Sequence, residues 1–298
     1  MAHSKLLRYD RSATILSAEG ARALAEFIAI HQTDANLLGC LLRRLAGKVS
    51  LGPIEQAAGV GFFQSDDVLL RKRPLAGQEA LPERLADGVE SEAVLITSGA
   101  VREPKGSFQE ETTLPFRFKR WLFSVAGNPQ LLEGARAALT LGLPEYLRRA
   151  ARGESAAESL FLTFLSKLRD VGKIDDFNVD AEIAARALAS AVGAAERAFE
   201  QAAAPLPALS VVVTNGRVMA ALRRGHPLWL GVVEGITSCQ RCELVRGASN
   251  LDPRVNAHRV LRAALVLSGP QESPPEGFRE LNEGEIIAVV QGPQVVSL

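Results

Sequence analysis

The sequence predicts an α+β protein, with a core of two mostly antiparallel sheets and helices packed outside it. Three observations predict this. Strand-like runs joined by hairpin signals stand towards both ends of the chain, a block of helix-patterned sequence lies between them, and no Pro/Gly/Ser-rich linker divides the 298 residues. That length suffices for one large or two small domains with a real core, and the missing linker favours one.

The elements follow in order. "AEGARALAEFIAIH" reads as a helix after a polar start, and "ANLLGCLLRRLAG" as a second helix. "AAGVGFFQSDDVLLRKRPL" reads as a β-hairpin, with strands at Val60–Phe63 and Val68–Leu70 around a polar turn at Ser65, Asp66 and Asp67. "SEAVLITSGAV" is a continuous apolar run of buried-strand type. "PKGSFQEETT" reads as a polar loop, and "LPFRFKRWLFSVAGN" as a strand or strand pair. "NPQLLEGARAALTLGLPEYLRRAARG" has helical spacing and a stop at Gly153. In "ESAAESLFLTFLSKLRDVG" the residues Leu160, Phe161, Phe164, Leu165 and Leu168 share one helix face. "DAEIAARALASAVGAAERAFEQAAA" is an alanine-rich helix ended by Pro205 and Pro207. Asn215-Gly216, between the apolar runs of "LSVVVTNGRVMAALRR", is the strongest short hairpin signal in the chain. "HPLWLGVVEG", "AALVLSGP" and "EIIAVVQGPQVVSL" complete the strands, and the last offers an edge that sheet burial or a protein interface could use.

Composition narrows the function. The chain is 47% hydrophobic and 23% charged, with 34 basic and 34 acidic residues. Near-zero net charge argues against a general nucleic-acid binder or an anionic-membrane binder, because phosphate contacts need surplus Lys and Arg. No apolar run reaches the ~18 residues a membrane span needs, and "MAHSKLLRYDRSATILSAEG" carries no signal-peptide pattern. The three cysteines, Cys40, Cys239 and Cys242, suit a reducing compartment, so a cytoplasmic protein is expected.

Motifs for familiar chemistry are absent or incomplete. The glycines of "AGVGFF" lack the rest of a phosphate or dinucleotide fingerprint and read as a bent hairpin strand. No G-x-S-x-G elbow and no H-E-x-x-H occurs, and His3, His31, His226 and His258 are scattered. In "CQRC" the spacing of Cys239 and Cys242 lets two thiolates reach one metal. Cys40 and a histidine could complete such a site only if the fold brings them there. Otherwise the pair is a redox couple or two idle thiols. No cofactor is expected.

"AAGVGFF" with "VLLRKRPL", then "TTLPF", "RWLFSVAGN", "SAAESLFLTFLSKL" and "VVVTNGRVMAALR" follow one another in a telling order and spacing. Over roughly residues 27–292 the chain thereby resembles the class II glutamine amidotransferases, which are N-terminal-nucleophile hydrolases. The resemblance implies a four-layer αββα sandwich, with residues 1–26 as an N-terminal extension and 27–298 as a single domain. It also implies glutamine amide hydrolysis with ammonia transfer, driven by an N-terminal cysteine. The pocket positions have diverged, however. The second residue is Ala2, no cysteine stands near Phe27, and Cys40 lies inside a helix-like segment. Ser98 stands where the family has the arginine that holds the glutamine carboxylate. Ala126 replaces the oxyanion-hole asparagine, beside a retained Gly127. Ala156 replaces the aspartate that binds the substrate amine, and Leu114 replaces a histidine. Without a thiolate no acyl-enzyme forms, and one lost oxyanion donor alone raises the barrier by about 3–4 kcal/mol.

The expectation is a protein with no intact catalytic residue and no glutaminase activity, acting by binding, as a scaffold or as a regulator. Its partner would be an unidentified protein or a small molecule, with no nucleic acid and no membrane. Small residues at Ala57, Ala58, Ser98, Gly99, Ala126, Ala156 and Ala157 fit either an emptied pocket or plain core packing. The rival readings are an amidohydrolase with a relocated nucleophile at Cys40, Ser98 or Thr97, a zinc-stabilised interaction protein using Cys239 and Cys242, and an unrelated α+β binding domain.

Overall fold

The computed structural model describes residues 25–54, 57–65, 67–74, 78–101, 108–247, 249 and 251–298. The expected N-terminal extension, apart from Ala25 and Glu26, lies outside them, as do Asp66 and most of the first half of the 104–113 loop.

In chain order the elements are β1 (Glu26–Gln32), α1 (Leu38–Leu45), β2 (Pro53–Ile54), β3 (Ala57–Gln64), β4 (Asp67–Pro74), β5 (Gln78–Glu79), α2 (Pro82–Leu85), β6 (Ala93–Ser98), β7 (Phe116–Phe118) and β8 (Trp121–Gly127). A 3-10 segment (Pro129–Ala135) leads into α3 (Arg136–Leu141), α4 (Glu145–Arg148), α5 (Ala156–Asp170) and α6 (Ala181–Gln201). The chain closes with β9 (Leu209–Thr214), β10 (Val218–Arg224), β11 (Trp229–Glu234), α7 (Pro253–Val260), β12 (Arg262–Ser268), β13 (Phe278–Glu280), β14 (Ile286–Val290) and β15 (Gln294–Ser297).

Two antiparallel sheets form the middle of the molecule. One has seven strands in the order β13-β11-β12-β1-β6-β3-β4, and the other has six in the order β15-β14-β10-β9-β8-β7. Strand alternation sends Phe27 and Ala29 into the core between the sheets and Ile28 and Ile30 outward beneath α1. The outer face of the six-stranded sheet is covered by α5 and α6, with Trp121 edge-on to Phe164 at 4.9 Å between ring centres. The result is the expected αββα layering. A buried polar contact crosses the two sheets, as His31 Nε2 lies 2.9 Å from Thr214 Oγ1.

Local chemistry explains most boundaries. Ser155 caps α5 by accepting from the Glu158 N–H at 3.1 Å, and Asp180 caps α6 in the same way. Asn215 Oδ1 accepts from the N–H groups of Arg217 and Val218, closing the β9–β10 hairpin. Gly216 turns at φ +89°, and a Cβ there would lie 2.6 Å from the Phe63 ring.

Two expectations need correction. The stretch expected as a first helix contains β1, hydrogen-bonded to β12 on one side and β6 on the other. A strand buried on both faces has a continuous apolar run, which periodicity does not separate from a helix. The helical stretch 128–153 is broken into the 3-10 segment, α3 and α4, because Gly142 and Pro144 interrupt it.

Candidate functional site

Two places in the fold gather the residues singled out by the sequence. The first is the corner where β1 enters the seven-stranded sheet. Here Ala25 N–H donates to Gly127 O at 2.8 Å and Gly127 N–H donates to Ala25 O at 3.0 Å. The Gly127 N–H, which the resemblance directs at an oxyanion, is therefore used to join the two sheets. Gly127 has φ +101°, and a Cβ on it would lie 2.5 Å from Ala208 O, so both conformation and space require glycine.

The neighbouring positions are filled rather than open. Leu114 and Ala156 are completely buried and share one core cluster with Ala25, Val101 and Ala157. Ala126, equally buried, belongs to the core between the sheets. Ser98 Oγ donates to Leu51 O at 2.7 Å, and Thr97 Oγ1 to Gly59 O at 3.3 Å, so neither hydroxyl is paired with a base. The chain at Leu114 runs so close to β3 that a Cβ on Gly59 would lie 2.0 Å from Leu114 O. Ala57, Ala58, Ser98, Ala126, Ala156 and Ala157 are all buried, which favours close packing as the reason for their size.

Beside this corner lies a buried acid that sequence reasoning missed. Glu26 is 3% exposed, and its carboxylate lies 2.9 Å from Ser268 Oγ and 3.4 Å from His226 Nε2. The carboxylate stands between hydroxyl and imidazole, so Ser268 donates to the acid rather than to His226. The arrangement pins the end of β1 to the end of β12.

The second place lies at the far end of the seven-stranded sheet. Donor atoms of Cys40, Cys239, Cys242 and His258 all lie within 4.8 Å of one another. Each comes from a local structure with its own logic. Cys40 is on the buried face of α1. Cys239 and Cys242 stand on a tight turn, closed by paired backbone hydrogen bonds of 2.9 Å between Cys239 and Leu244. His258 is in the last turn of α7, whose N-cap is Asp252. Cys40 Sγ and Cys242 Sγ are 3.4 Å apart, well beyond the ~2.05 Å of a disulfide.

The His258 imidazole is 2% exposed. Its Nδ1 lies 2.7 Å from Arg254 O, so Nδ1 carries the proton and donates. Its Nε2 is buried, makes no hydrogen bond of ordinary geometry, and has the Cys239 thiol nearby. Burial and contact with the other two thiols push the Cys40 thiol far above its usual range. Burial acts on Cys239 in the same sense, but the Cys242 backbone N–H helps to outweigh it and Cys239 falls below its usual range. The sequence had named the pair and Cys40, but His258 carried no signal to separate it from the other histidines.

The comparisons with known proteins address the fold. No family profile and no curated protein matches the sequence. Among solved structures, a glutamine aminotransferase class-II domain protein from Silicibacter pomeroyi matches with a TM-score of 0.53 and 18% identity, over 92% of this chain and 98% of that one. The fold is that of the class II glutamine amidotransferases. A predicted glutamine amidotransferase from Pseudomonas aeruginosa matches at TM-score 0.49 and 16% identity, over 93% of this chain and all of that one. The glutamine phosphoribosylpyrophosphate amidotransferase of Bacillus subtilis matches at 0.45 and 13%, over 92% of this chain and 48% of that one. Within the amidotransferase fold, then, the corner at Ala25 and Gly127 is packed with apolar side chains, while thiols and an imidazole converge elsewhere. Among the described residues no helix is long and apolar enough to cross a membrane.

Proposed function

We propose that this chain is a non-hydrolytic protein of amidotransferase fold, acting in the cytoplasm by binding, as a scaffold or regulatory partner of a protein or small molecule. Residues 27–298 would form its one domain. The observation that carries the reading is the Gly127 N–H, which is hydrogen-bonded to Ala25 O in a corner that holds no thiol. An oxyanion would have to break that pair, and the surrounding Leu114, Ala126 and Ala156 offer it no polar replacement. Ser98 and Ala156 likewise offer no counter-charges to a zwitterionic substrate.

The test is ammonia release from L-glutamine by the purified full chain, with mass spectrometry after exposure to a glutamine-mimicking electrophile. The expected result is no ammonia above the uncatalysed rate and no adduct. Turnover with an adduct mapped to Cys40, Thr97, Ser98 or any other residue would overturn the reading and identify the nucleophile.

A further inference from the structure

We propose that Cys40, Cys239, Cys242 and His258 bind a structural zinc ion. The proposal stands independently of the non-hydrolytic reading, because none of the four residues belongs to the corner at Gly127.

The donor set is the first argument. Three thiolates and one imidazole supply the four ligands of a closed tetrahedral zinc site and leave no open position for substrate. Such soft and borderline donors suit zinc and disfavour magnesium or calcium. The spacing is the second argument. Zinc–sulfur bonds of ~2.3 Å place tetrahedral ligands ~3.8 Å apart, and the 3.4 Å between Cys40 and Cys242 and the 4.8 Å limit of the cluster bracket that value.

His258 is the third argument and the most specific. Metal-binding histidines usually give their other N–H to a carbonyl or carboxylate, which fixes tautomer and ring orientation. Here Nδ1 donates to Arg254 O, and the lone pair of Nε2 is left within the cluster, buried and without a hydrogen bond of ordinary geometry. A buried nitrogen left without a partner is costly unless something occupies it.

The site also joins a segment that little else covers to the rest of the fold. Among the described residues from 236 to 252, only Ile236 and Cys239 are buried. Leu251 is 93% exposed and Val245 70%. Ile236 and Cys239 share a small cluster with Leu37 and Leu261, and Ile236 N–H donates to His258 O at 2.7 Å. This is a modest offset to the conformational entropy of so exposed a segment, and a metal joining it to α1 and α7 adds a strong constraint. A cleft of about 800 Å³ beside Cys40 and Cys239 gives the ion a path from solvent.

The experiment uses the full chain purified without a histidine tag under reducing conditions. Elemental mass spectrometry is expected to find about one zinc per chain, released as a mercurial titrates the three thiols. Exchange into cobalt is expected to give thiolate-to-cobalt charge transfer and the intense visible bands of a tetrahedral site. Cys239→Ser and His258→Ala are expected to fall below about a tenth of the wild-type zinc content, while His258→Cys, which keeps four zinc ligands, retains it. The cobalt spectrum of the wild-type chain and the His258→Cys rescue decide the matter even if the other variants do not fold. Wild-type protein that takes up neither zinc nor cobalt and whose three thiols react freely would overturn the proposal, as would a Cys40–Cys242 disulfide in its place. Ammonia release from glutamine together with bound zinc would overturn only the non-hydrolytic reading.

Discussion

The corner at Gly127 and the cluster at His258 treat their backbone and side chains in opposite ways. At the corner the Gly127 and Ala25 backbones are hydrogen-bonded to each other, and Leu114, Ala126 and Ala156 pack around them as fully buried apolar side chains. At the cluster a small apolar patch of Leu37, Ile236 and Leu261 surrounds four candidate ligands from three distant segments, which meet with one nitrogen left without a hydrogen bond of ordinary geometry. The difference is that packing stabilises a backbone arrangement whatever chemistry its side chains can do. Chemistry-bearing groups that converge beyond what their packing requires point more directly to use.

Removing metal should separate the two regions most sharply. A strong chelator in the presence of reductant is expected to destabilise the protein by on the order of 5 kcal/mol, seen as a fall of roughly 10 °C or more in the thermal midpoint. An unchanged midpoint would erase the contrast. Next in size, Leu114→His puts back the imidazole that the resemblance implies, but in a fully buried site. It is expected to cost about 3 kcal/mol in urea denaturation and to yield no ammonia from glutamine. Tolerance of the substitution together with new turnover would mean that the corner is open after all.

The two buried histidines sharpen the contrast further. His31 Nε2 is satisfied by Thr214, and burial lowers its pKa to about 4 from 6.5. The unfolded chain therefore takes up the proton first as pH falls. The stability held by the neutral ring is full above pH 6.5 and is lost progressively down to about pH 4, by about 3 kcal/mol at the end. Urea midpoints measured between pH 7 and pH 4 should fall further for wild type than for His31→Gln, and parallel curves would refute the assignment. The smallest effect belongs to local structure. Ser155→Ala removes the cap of α5 and should cost about 1 kcal/mol, without altering zinc content.

How much of this was legible in the sequence depended on whether the signal was local. The β9–β10 hairpin was readable because Asn215 and Gly216 carry its turn within themselves, and α5 was readable because Leu160, Phe161, Phe164, Leu165 and Leu168 share one face. Strand β1 was not, since its apolar run draws meaning only from partners near residue 97 and residue 265. Helix α7 escaped notice because it is short and polar and buries only Val255 and His258. The metal cluster was half legible. The two-residue spacing of Cys239 and Cys242 is a local signal, whereas Cys40 lies 202 residues from Cys242 and nothing in the sequence brings them together. The apolar character of Leu114, Ala126 and Ala156 was legible in the sequence, but the use of the Gly127 N–H by Ala25 required coordinates.

The position of β1 has a consequence for biosynthesis. It is a central strand, and its partner on one side, β12, ends at Ser268, while β6 on the other side ends at Ser98. A ribosome adding about 5–20 residues per second needs roughly 10–30 s to make the 170 residues between those two points (268 − 98). Throughout that interval the nascent sheet presents the bare edge of an apolar strand, the geometry most open to wrong pairing. The chain's exposure to aggregation is thus greatest while it is being made, and slower elongation after β6 should raise the demand for chaperones.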